Sequence, residues 1–268
     1  MDIANKIFVV TGGGSGMGRE LTIQLVKKGA KVIIADIHQK DMDDTSKIAG
    51  IDQVSTHIVD ISNREEVTNF ASDVIDRYGY IDGLINNAGI IQPFIDIKDL
   101  DYGQIEKVMN VNFYGTVNMT KAFLPTLLLR PSAHIMNISS MGGFIPFPGQ
   151  SIYGASKAAV KLFTEGLYAE LLNSNVNVTV VFPGAIDTNI MSNSGVQTKE
   201  EMDKTKAEAK FKALPAPKAA ASMIDAIEKN KFQIRVGKDA KMMHFLYNLN
   251  SRRAINFITK QMAKMKDF

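Results

Sequence analysis

The chain contains no cysteine among its 268 residues, which excludes disulfides, thiolate metal sites and a cysteine nucleophile and suits a reducing compartment. Histidine is scarce: His38, His57, His134 and His244 fall in no ligand-like cluster, so no metal site is expected. No apolar run approaches the roughly 18 residues that a membrane-spanning helix needs. Met1-Asp2-Ile3-Ala4-Asn5-Lys6 also lacks a charged segment followed by a long apolar core. The expectation is a chain neither signal-directed nor membrane-spanning, and hence cytoplasmic. Neither sign of charge is in strong excess, the net being +3 at pH 7, but the balance is uneven. From Lys231 to the end, nine Lys or Arg stand against Asp239 and Asp267, so this tail carries +7 and the preceding 230 residues carry −4. The body is therefore no polyanion binder, no nucleic-acid partner is expected, and any partner drawn by positive charge belongs to the tail.

What is present is a hydrophobic fraction of 45%, enough for the core of one large α/β domain spanning residues 1–268. There is no internal repeat, low-complexity linker or evident domain boundary. Short apolar runs at Lys6 to Val10, Lys31 to Ala35, Val54 to Val59, Gly83 to Ile85, His134 to Ile138, Val178 to Phe182 and Phe232 to Val236 read as strands. Helical periodicity fills the intervals between them. Strict alternation of about seven strands with helices predicts a single doubly wound parallel sheet with helices on both faces. Capping boxes are predicted at Ser62 with Glu65, Asp101 with Gln104 and Thr198 with Glu201. They open helices to about Tyr78, Leu129 and Lys212. A further helix is predicted from about Ala219 to Asn230, after Pro215 and Pro217. The polar segment 189–230 reads as a mobile substrate lid.

The strand ends carry the chemistry. The first strand delivers into Thr11-Gly12-Gly13-Gly14-Ser15-Gly16-Met17-Gly18, followed by a helix pattern that stops at Gly29. Glycines between a strand and a helix N-terminus let backbone amides approach a pyrophosphate, which the helix dipole favours. The second strand ends at Asp36, eighteen residues beyond Gly18. A carboxylate there accepts the hydrogen bonds of an adenosine ribose and repels a 2′-phosphate. With Ile37 and not Arg next, NAD is favoured over NADP, although Arg19 and Lys40 lie close in sequence. Asp36 could also simply cap the next helix. The fourth strand ends in Asn86-Asn87-Ala88-Gly89, and Asn112 sits in mid-helix, where an Asn is locally unfavourable unless it faces solvent or has a role. The fifth strand leads to Ser139-Ser140-Met141-Gly142-Gly143. Tyr153 and Lys157, four residues apart, project from one helix face. A Lys⁺ beside a phenol draws its pKa down from about 10 towards the range a general acid/base needs. A solvated Tyr/Lys pair is the alternative for those two residues alone.

Thr11-x-x-x-Gly-x-Gly, Asn86-Asn-Ala-Gly, Asn112, Ser140 and Tyr153-x-x-x-Lys157 stand in one order, and with them the sequence resembles the short-chain dehydrogenase/reductase family, in its single-domain Rossmann form, over roughly Lys6 to Thr188 and the strand near Ile234. The resemblance implies an oxidoreductase that passes a hydride between a nicotinamide and a carbinol or carbonyl carbon. It implies that Thr11, Gly12, Gly14, Ser15, Gly16, Met17 and Gly18 form the phosphate loop, that Asp36 and Ile37 take the adenosine ribose, and that Asp60 and Ile61 line the adenine. Asn86, Asn87, Ala88 and Gly89 would lie along the cofactor and support the sheet. Pro183, Gly184, Ile186 and Thr188 would cover the nicotinamide. Tyr153 would exchange the proton, Lys157 would bind the nicotinamide ribose and lower the Tyr pKa, and Ser140 would bond the substrate oxygen. Asn112 would hold a helix kink and a water next to Lys157. Ser140 lies thirteen residues before Tyr153, the spacing of the family, so Ser139 reads as structural. The family's habit also implies a homodimer or homotetramer through the helices of Asn112 and Tyr153. A non-catalytic dinucleotide-sensing or scaffold protein on the same fold is the alternative, and the intact Asn112, Ser140, Tyr153 and Lys157 weigh against it.

Around the reacting carbon this alignment puts Ile90, Ile91, Phe94, Met141, Phe144, Ile145, Phe147, Ile186, Ile190 and Met191, with no Arg or Lys placed to pair an anion. The pocket should prefer a neutral, fairly hydrophobic secondary alcohol or ketone. In the tail, residues 238–268, Phe245, Leu246 and Leu249 share one helical face, and Ile255, Ile258, Met262 and Met265 repeat at three-and-four spacing among basic residues. Such a helix either lies peripherally on an anionic membrane or packs on the body or a partner subunit.

Overall fold

Every residue of the first, fourth and fifth strands is buried, because helices cover both faces of the sheet those strands run through. The computed structural model describes residues 1–198, 200–201 and 213–266. Strands β1 (Ile7–Thr11), β2 (Lys31–Asp36), β3 (Val54–Ile58), β4 (Gly83–Asn86), β5 (Ala133–Ile138) and β6 (Val176–Pro183) are followed by a two-residue pair, β7 (Ile186–Asp187) with β8 (Leu214–Pro215), and then by β9 (Gln233–Val236). The seven-stranded sheet has the order β3-β2-β1-β4-β5-β6-β9 with every pairing parallel. It is the doubly wound α/β arrangement expected from the alternation of elements. The order reverses between β1 and β4, and the carboxyl ends of those two strands open the crevice in which such folds bind ligands.

The helices are α1 (Gly16–Lys27), α2 (Gln39–Ala49), α3 (Arg64–Tyr78), α4 (Tyr102–Met109), α5 (Gly115–Leu128), α6 (Ser151–Glu170), α7 (Ile190–Asn193), α8 (Ala216–Glu228), α9 (Lys238–Leu249) and α10 (Ser251–Lys266). On one face Phe70 of α3, Phe123 of α5 and Leu167 of α6 pack on Ile33, Leu84 and Ile135. On the other, Leu21 and Leu25 of α1, Met42 of α2 and Ile224 of α8 pack on Phe8, Ile34 and Ile85. Among the described residues no helix is long and apolar enough to cross a membrane.

Local chemistry shifts several expected boundaries. The cap of α3 is Asn63 and not Ser62: its Oδ1 accepts from the Glu65 and Glu66 amides at 3.0 and 3.3 Å, while Ser62 turns its hydroxyl to the Asp60 carboxylate at 2.7 Å. The single long helix expected from Tyr102 is interrupted by a π-turn at Asn110–Tyr114, between α4 and α5. The Thr198–Glu201 capping box forms, each residue's side chain accepting the other's amide, and the rest of the helix expected there lies outside the described residues. Helix α8 starts three residues before its expected beginning, since Pro217 is tolerated in a first turn. It is core and not lid: Ala219, Ala220, Met223, Ile224 and Ile227 are all buried against the sheet.

Two polar arrangements hold the elements that carry the candidate site. Asn86 donates to Asn137 Oδ1 at 2.8 Å and to Thr120 Oγ1 at 3.2 Å, and Asn137 donates to Thr164 Oγ1 at 3.0 Å, tying β4, β5, α5 and α6 together. Gln92, fully buried after β4, clamps the start of α6. Its Oε1 accepts the amides of Ile152 and Tyr153, both at 2.9 Å, and its Nε2 donates to Gly149 O at 3.1 Å. Its own carbonyl accepts from Gln150 Nε2 at 2.7 Å. The residue before α6 makes no side-chain cap, so Gln92 supplies from another segment the acceptor that an N-cap ordinarily provides. Nothing in the spacing of the sequence marks it.

Replacing Gln92 with Leu leaves two buried amides without a partner, and we expect a stability loss of about 2–4 kcal/mol, at roughly 1–3 per orphaned group before relaxation. Denaturant titration of the Gln92→Leu variant checks it, and a loss under about 0.5 kcal/mol, the range of a neutral surface change, would refute the clamp. His134, 1% exposed on β5, gives a second expectation. Thr179 donates its hydroxyl to Lys231 O at 2.6 Å, so His134 Nε2 carries the proton in its 2.8 Å bond to Thr179 Oγ1. Burial first, and then the nearby chain N-terminus, hold the imidazole pKa down at about 3. The unfolded chain binds this proton below about 6.5 and the fold does not until about 3, so stability declines as pH falls through that window. By pH 5 the decline is about 2 kcal/mol, and a His134→Gln variant should show a correspondingly smaller change between pH 7 and pH 5.

Candidate active site

The crevice at the reversal of strand order is built from backbone first. Thr11 Oγ1 accepts the amides of Asn87 and Ala88, both at 3.0 Å, and Asn87 Nδ2 donates to the carbonyls of Thr11 at 3.0 Å and Gly12 at 3.2 Å. The loops after β1 and β4 are thereby joined. Gly12 and Gly16 have φ of +66° and +52°, in the left-handed region where a side chain is strained. At Gly18 any Cβ would overlap the Gly12 carbonyl, which explains the spacing of those glycines. Helix α1 begins at Gly16 with Ser15 extended before it and no side-chain cap, so its first amides remain directed at the crevice, a donor set suited to a phosphate.

Twelve of the residues singled out from the sequence line one cleft: Gly12, Ser15, Gly16, Met17, Asp36, Ile37, Asp60, Ile61, Asn87, Ala88, Gly89 and Thr188. Thr11, Gly14 and Gly18 stand behind it as supports. The Gly14 amide is bound to Asp36 Oδ2 at 3.0 Å, which fixes the half-buried carboxylate at the far end of the cleft. Pro183, Gly184 and Ile186 follow the end of β6 outside the lining. Arg19 donates through Nε and Nη2 to the Gly14 carbonyl, at 3.1 and 2.7 Å, and through Nε to Thr45 at 3.0 Å, which holds its guanidinium behind the glycine loop. Lys107, which sequence spacing did not single out, lines the cleft from α4, and with Lys40 and His38 it rims an adjoining depression. Asn193 of α7 reaches across to donate to Ser15 Oγ at 2.8 Å, and Ser194 Oγ accepts the Ile91 amide at 3.0 Å, so part of the expected lid already bridges both sides. The long glycine loop gave no signal of those bridges.

At the inner end the four candidate reactive residues converge. Asn112 is fully buried inside the π-turn, which excludes the solvent-facing reading of a mid-helix Asn. Its carboxamide accepts the Ile90 amide at 2.8 Å and donates to Ile90 O at 2.9 Å and Ser156 Oγ at 3.0 Å. Lys157 is buried and donates to Ile138 O at 3.0 Å. A methyl added at Gly89 would lie 3.0 Å from Lys157 Nζ and 3.1 Å from Asn112 Oδ1, which puts both polar ends at the floor of the cleft. The half-buried Tyr153 lies beside Ser140, a methyl added at Gly142 meeting Tyr153 Cε1 at 3.4 Å and Ser140 Oγ at 3.5 Å, and Ser140 Oγ accepts the Gly142 amide at 3.0 Å. Ser139 donates to the Lys157 carbonyl at 2.7 Å, a structural role consistent with its reading from the sequence.

One electrostatic expectation is corrected. Burial raises the Tyr153 pKa above its ordinary value, and the Ser140 side chain acts in the opposite direction with less weight. Burial also lowers Lys157 to about 8. With its ammonium bound to the Ile138 carbonyl, Lys157 does not set the phenol's acidity in this state; desolvation does. Of the apolar side chains expected around the reacting carbon, Ile145 is completely buried and Phe144 packs edge-on against Phe182 and His244, so these two are core. Ile90, Met141, Ile190 and Met191 are half-buried. Among the described residues no group of three or more His, Asp or Glu could hold a metal ion.

The comparisons with known proteins agree with this geometry. The short chain dehydrogenase family model matches residues 6–199. The chain is 37% identical over 248 residues to Mycobacterium tuberculosis SadH, a protein classed with the oxidoreductases, covering 90% of this chain and 89% of that protein. A short chain dehydrogenase from Burkholderia cenocepacia, solved in complex with NADP, superposes with a TM-score of 0.80 at 28% identity, covering 96% and 99% of the two chains. A Burkholderia phymatum short chain dehydrogenase/reductase in complex with NAD superposes with a TM-score of 0.81 at 24% identity, over 93% and 96%. The chain therefore belongs to the short-chain dehydrogenase/reductase family of NAD(P)-binding oxidoreductases.

Proposed function

We propose that the protein transfers a hydride between NAD and a neutral, fairly hydrophobic secondary alcohol or ketone, with Tyr153 as general acid/base. The observation that carries this reading is the meeting of the Tyr153 and Ser140 side chains over Gly142, beside the floor on which Lys157 and Asn112 face Gly89. A cradle of free amides at one helix N-terminus and a fixed carboxylate further along fit a dinucleotide with a free adenosine ribose. The nicotinamide, when bound, supplies or accepts the hydride. The chain's own residues do the rest. Ser140 holds the substrate oxygen, and Tyr153 gives it a proton on reduction or takes one on oxidation. Lys157, at about 8, is close enough to neutrality to relay protons to the ribose side. The Asp36 carboxylate opposes a 2′-phosphate, and Arg19 is held behind the glycine loop by its bonds to the Gly14 carbonyl. Lys40 and Lys107 beside the adjoining depression favour the second reading, in which NADP is also accepted.

The half-buried Ile90, Met141, Ile190 and Met191 support an apolar substrate, with Lys107 of α4 lining the same cleft as Ile90 and Ile190. The exposed Leu162 of α6 and Tyr114 of the π-turn, 68% and 52% accessible, support a homodimer or homotetramer through that face. A solution mass of two or four times the 29.5 kDa chain by light scattering is the check.

For the reaction itself, turnover of a panel of apolar secondary alcohols is followed by NADH fluorescence. Tyr153→Phe should lower kcat by roughly 10²–10⁴-fold while NADH binding, expected to be tighter than NADPH binding, stays nearly unchanged. Near-native turnover in that variant would remove the acid/base assignment. Because the free phenol is held above its ordinary pKa, oxidation should accelerate as pH rises through the alkaline range and reduction should slow.

A further inference from the structure

The two C-terminal helices have an inner and an outer side of opposite character. Met243 of α9 and Ala254 and Ile258 of α10 converge on Ile145, in the loop that follows Ser140, with Met141 and Phe144 against the same cluster, and Ala240 of α9 is buried as well. Asp239, in the first turn of α9, also accepts the Ala185 amide at 2.6 Å, beside the end of β6. Both helices are thus fastened to the segments that border the candidate site. By the 3.6-residue period, Met242, Phe245 and Leu249 lie on the side of α9 opposite Ala240 and Met243, and Phe257 lies roughly 80° round α10 from the midline of Ala254 and Ile258, at the flank of the buried face. These four are exposed, at 45%, 63%, 67% and 41%. The sequence had grouped Leu246 with Phe245 and Leu249, whereas Leu246 packs inward and the outer face is the narrower set.

The outer apolar strip is framed by cations. Lys238 and Lys241 precede Met242 and Phe245 by one turn, Arg252 and Arg253 follow Leu249, and Lys260 lies one turn beyond Phe257. All five are exposed, and among the described residues none is in an ion pair. The only acidic side chain described in α9 and α10 is Asp239, which is bound to Ala185. A second copy meeting this face with its own would bring cations against cations, whereas an anionic lipid surface complements them and accepts the Phe, Leu and Met side chains among its acyl chains.

We infer that the outer face of α9 and α10 docks on an anionic bilayer. The inner face then holds the mouth of the site against the lipid, where an apolar alcohol or ketone is concentrated. The second statement rests on the reading of the site given above; the docking surface does not.

Removing the whole tail is a poor test, because the inner face supports the loop after Ser140. The full chain and a Phe245→Glu/Leu249→Glu double variant are instead sedimented with vesicles of phosphatidylcholine alone and of phosphatidylcholine with phosphatidylglycerol at about 2:1. NADH binding and light-scattering mass are measured in parallel. The native chain should partition onto the anionic vesicles, less so as salt rises, and the double variant at least about tenfold less, with NADH binding and mass unchanged. Equal sedimentation of the native chain with both vesicle types, or of native and variant with anionic vesicles, overturns the inference. So does a native oligomer that falls apart in the variant, which would assign the face to a contact between copies. Vesicle binding by a chain that turns over no apolar alcohol would leave the docking surface standing and remove the substrate reading.

Discussion

The hydroxyl of Thr11 is the smallest group on which the site depends. It sits at the end of β1, where the strand order reverses, and accepts two amides from the loop after β4. In a parallel sheet the carboxyl ends of neighbouring strands diverge into loops that nothing in the sheet itself registers against each other. The Thr11 and Asn87 bonds supply that register over a few ångströms. The amides at the start of α1, the Gly89 floor and, through Ile90, the Asn112 carboxamide all inherit their positions from it. Gln92 extends the same loop to the first turn of α6, so Tyr153 is placed relative to Gly12 through a continuous chain of hydrogen bonds.

Much of this was legible in the sequence for physical reasons that act locally. A buried parallel strand must be a short apolar run, a glycine loop between strand and helix has few uses, and i, i+4 spacing on a helix is a statement about side-chain direction. So the seven strands, the cleft lining from Gly12 to Gly89 and the pairing of Tyr153 with Lys157 on one helix could be read directly. What could not be read depends on partners distant in sequence. Gln92 looks like any loop polar residue until the amides it accepts, sixty residues on, are known. The π-turn has no sequence signature apart from an Asn whose burial propensity alone would not require. The core face of α8 is hard to read because alanines carry little apolar area to announce it, although Ala219 and Ala220, on a helix packed against α1, are fully enclosed.

Tyr153 and Lys157 show how proximity and electrostatics part company. Placing Lys and Tyr one turn apart predicts that the cation acidifies the phenol. In the folded chain both groups are removed from water, and desolvation acts on each towards its neutral form: phenol up, ammonium down to about 8. Near neutral pH the site at rest is thus a neutral phenol beside a still largely protonated lysine, not a phenolate–ammonium ion pair. A positive charge brought into the cleft would favour the phenolate and disfavour the ammonium together. The resting geometry therefore makes the protonation state of Tyr153 responsive to what occupies the cleft, in place of fixing it by Lys157 alone.

The same economy of contacts links the tail to the chemistry. Ser140 can bond a substrate oxygen only if the loop after it is held, and that loop is held from the outside by Ile145 against Ala254 and Ile258 and by Phe144 against His244. A short polar loop at the end of a strand would otherwise be the most easily opened part of such a site, because it buries little apolar area of its own. The inner side of α9 and α10 meets that loop with Met243, Ala254 and Ile258, of which the unbranched Met243 adapts most readily to an irregular surface. The helices that present charge and apolar side chains outward are consequently the ones that hold the loop after Ser140 against the body.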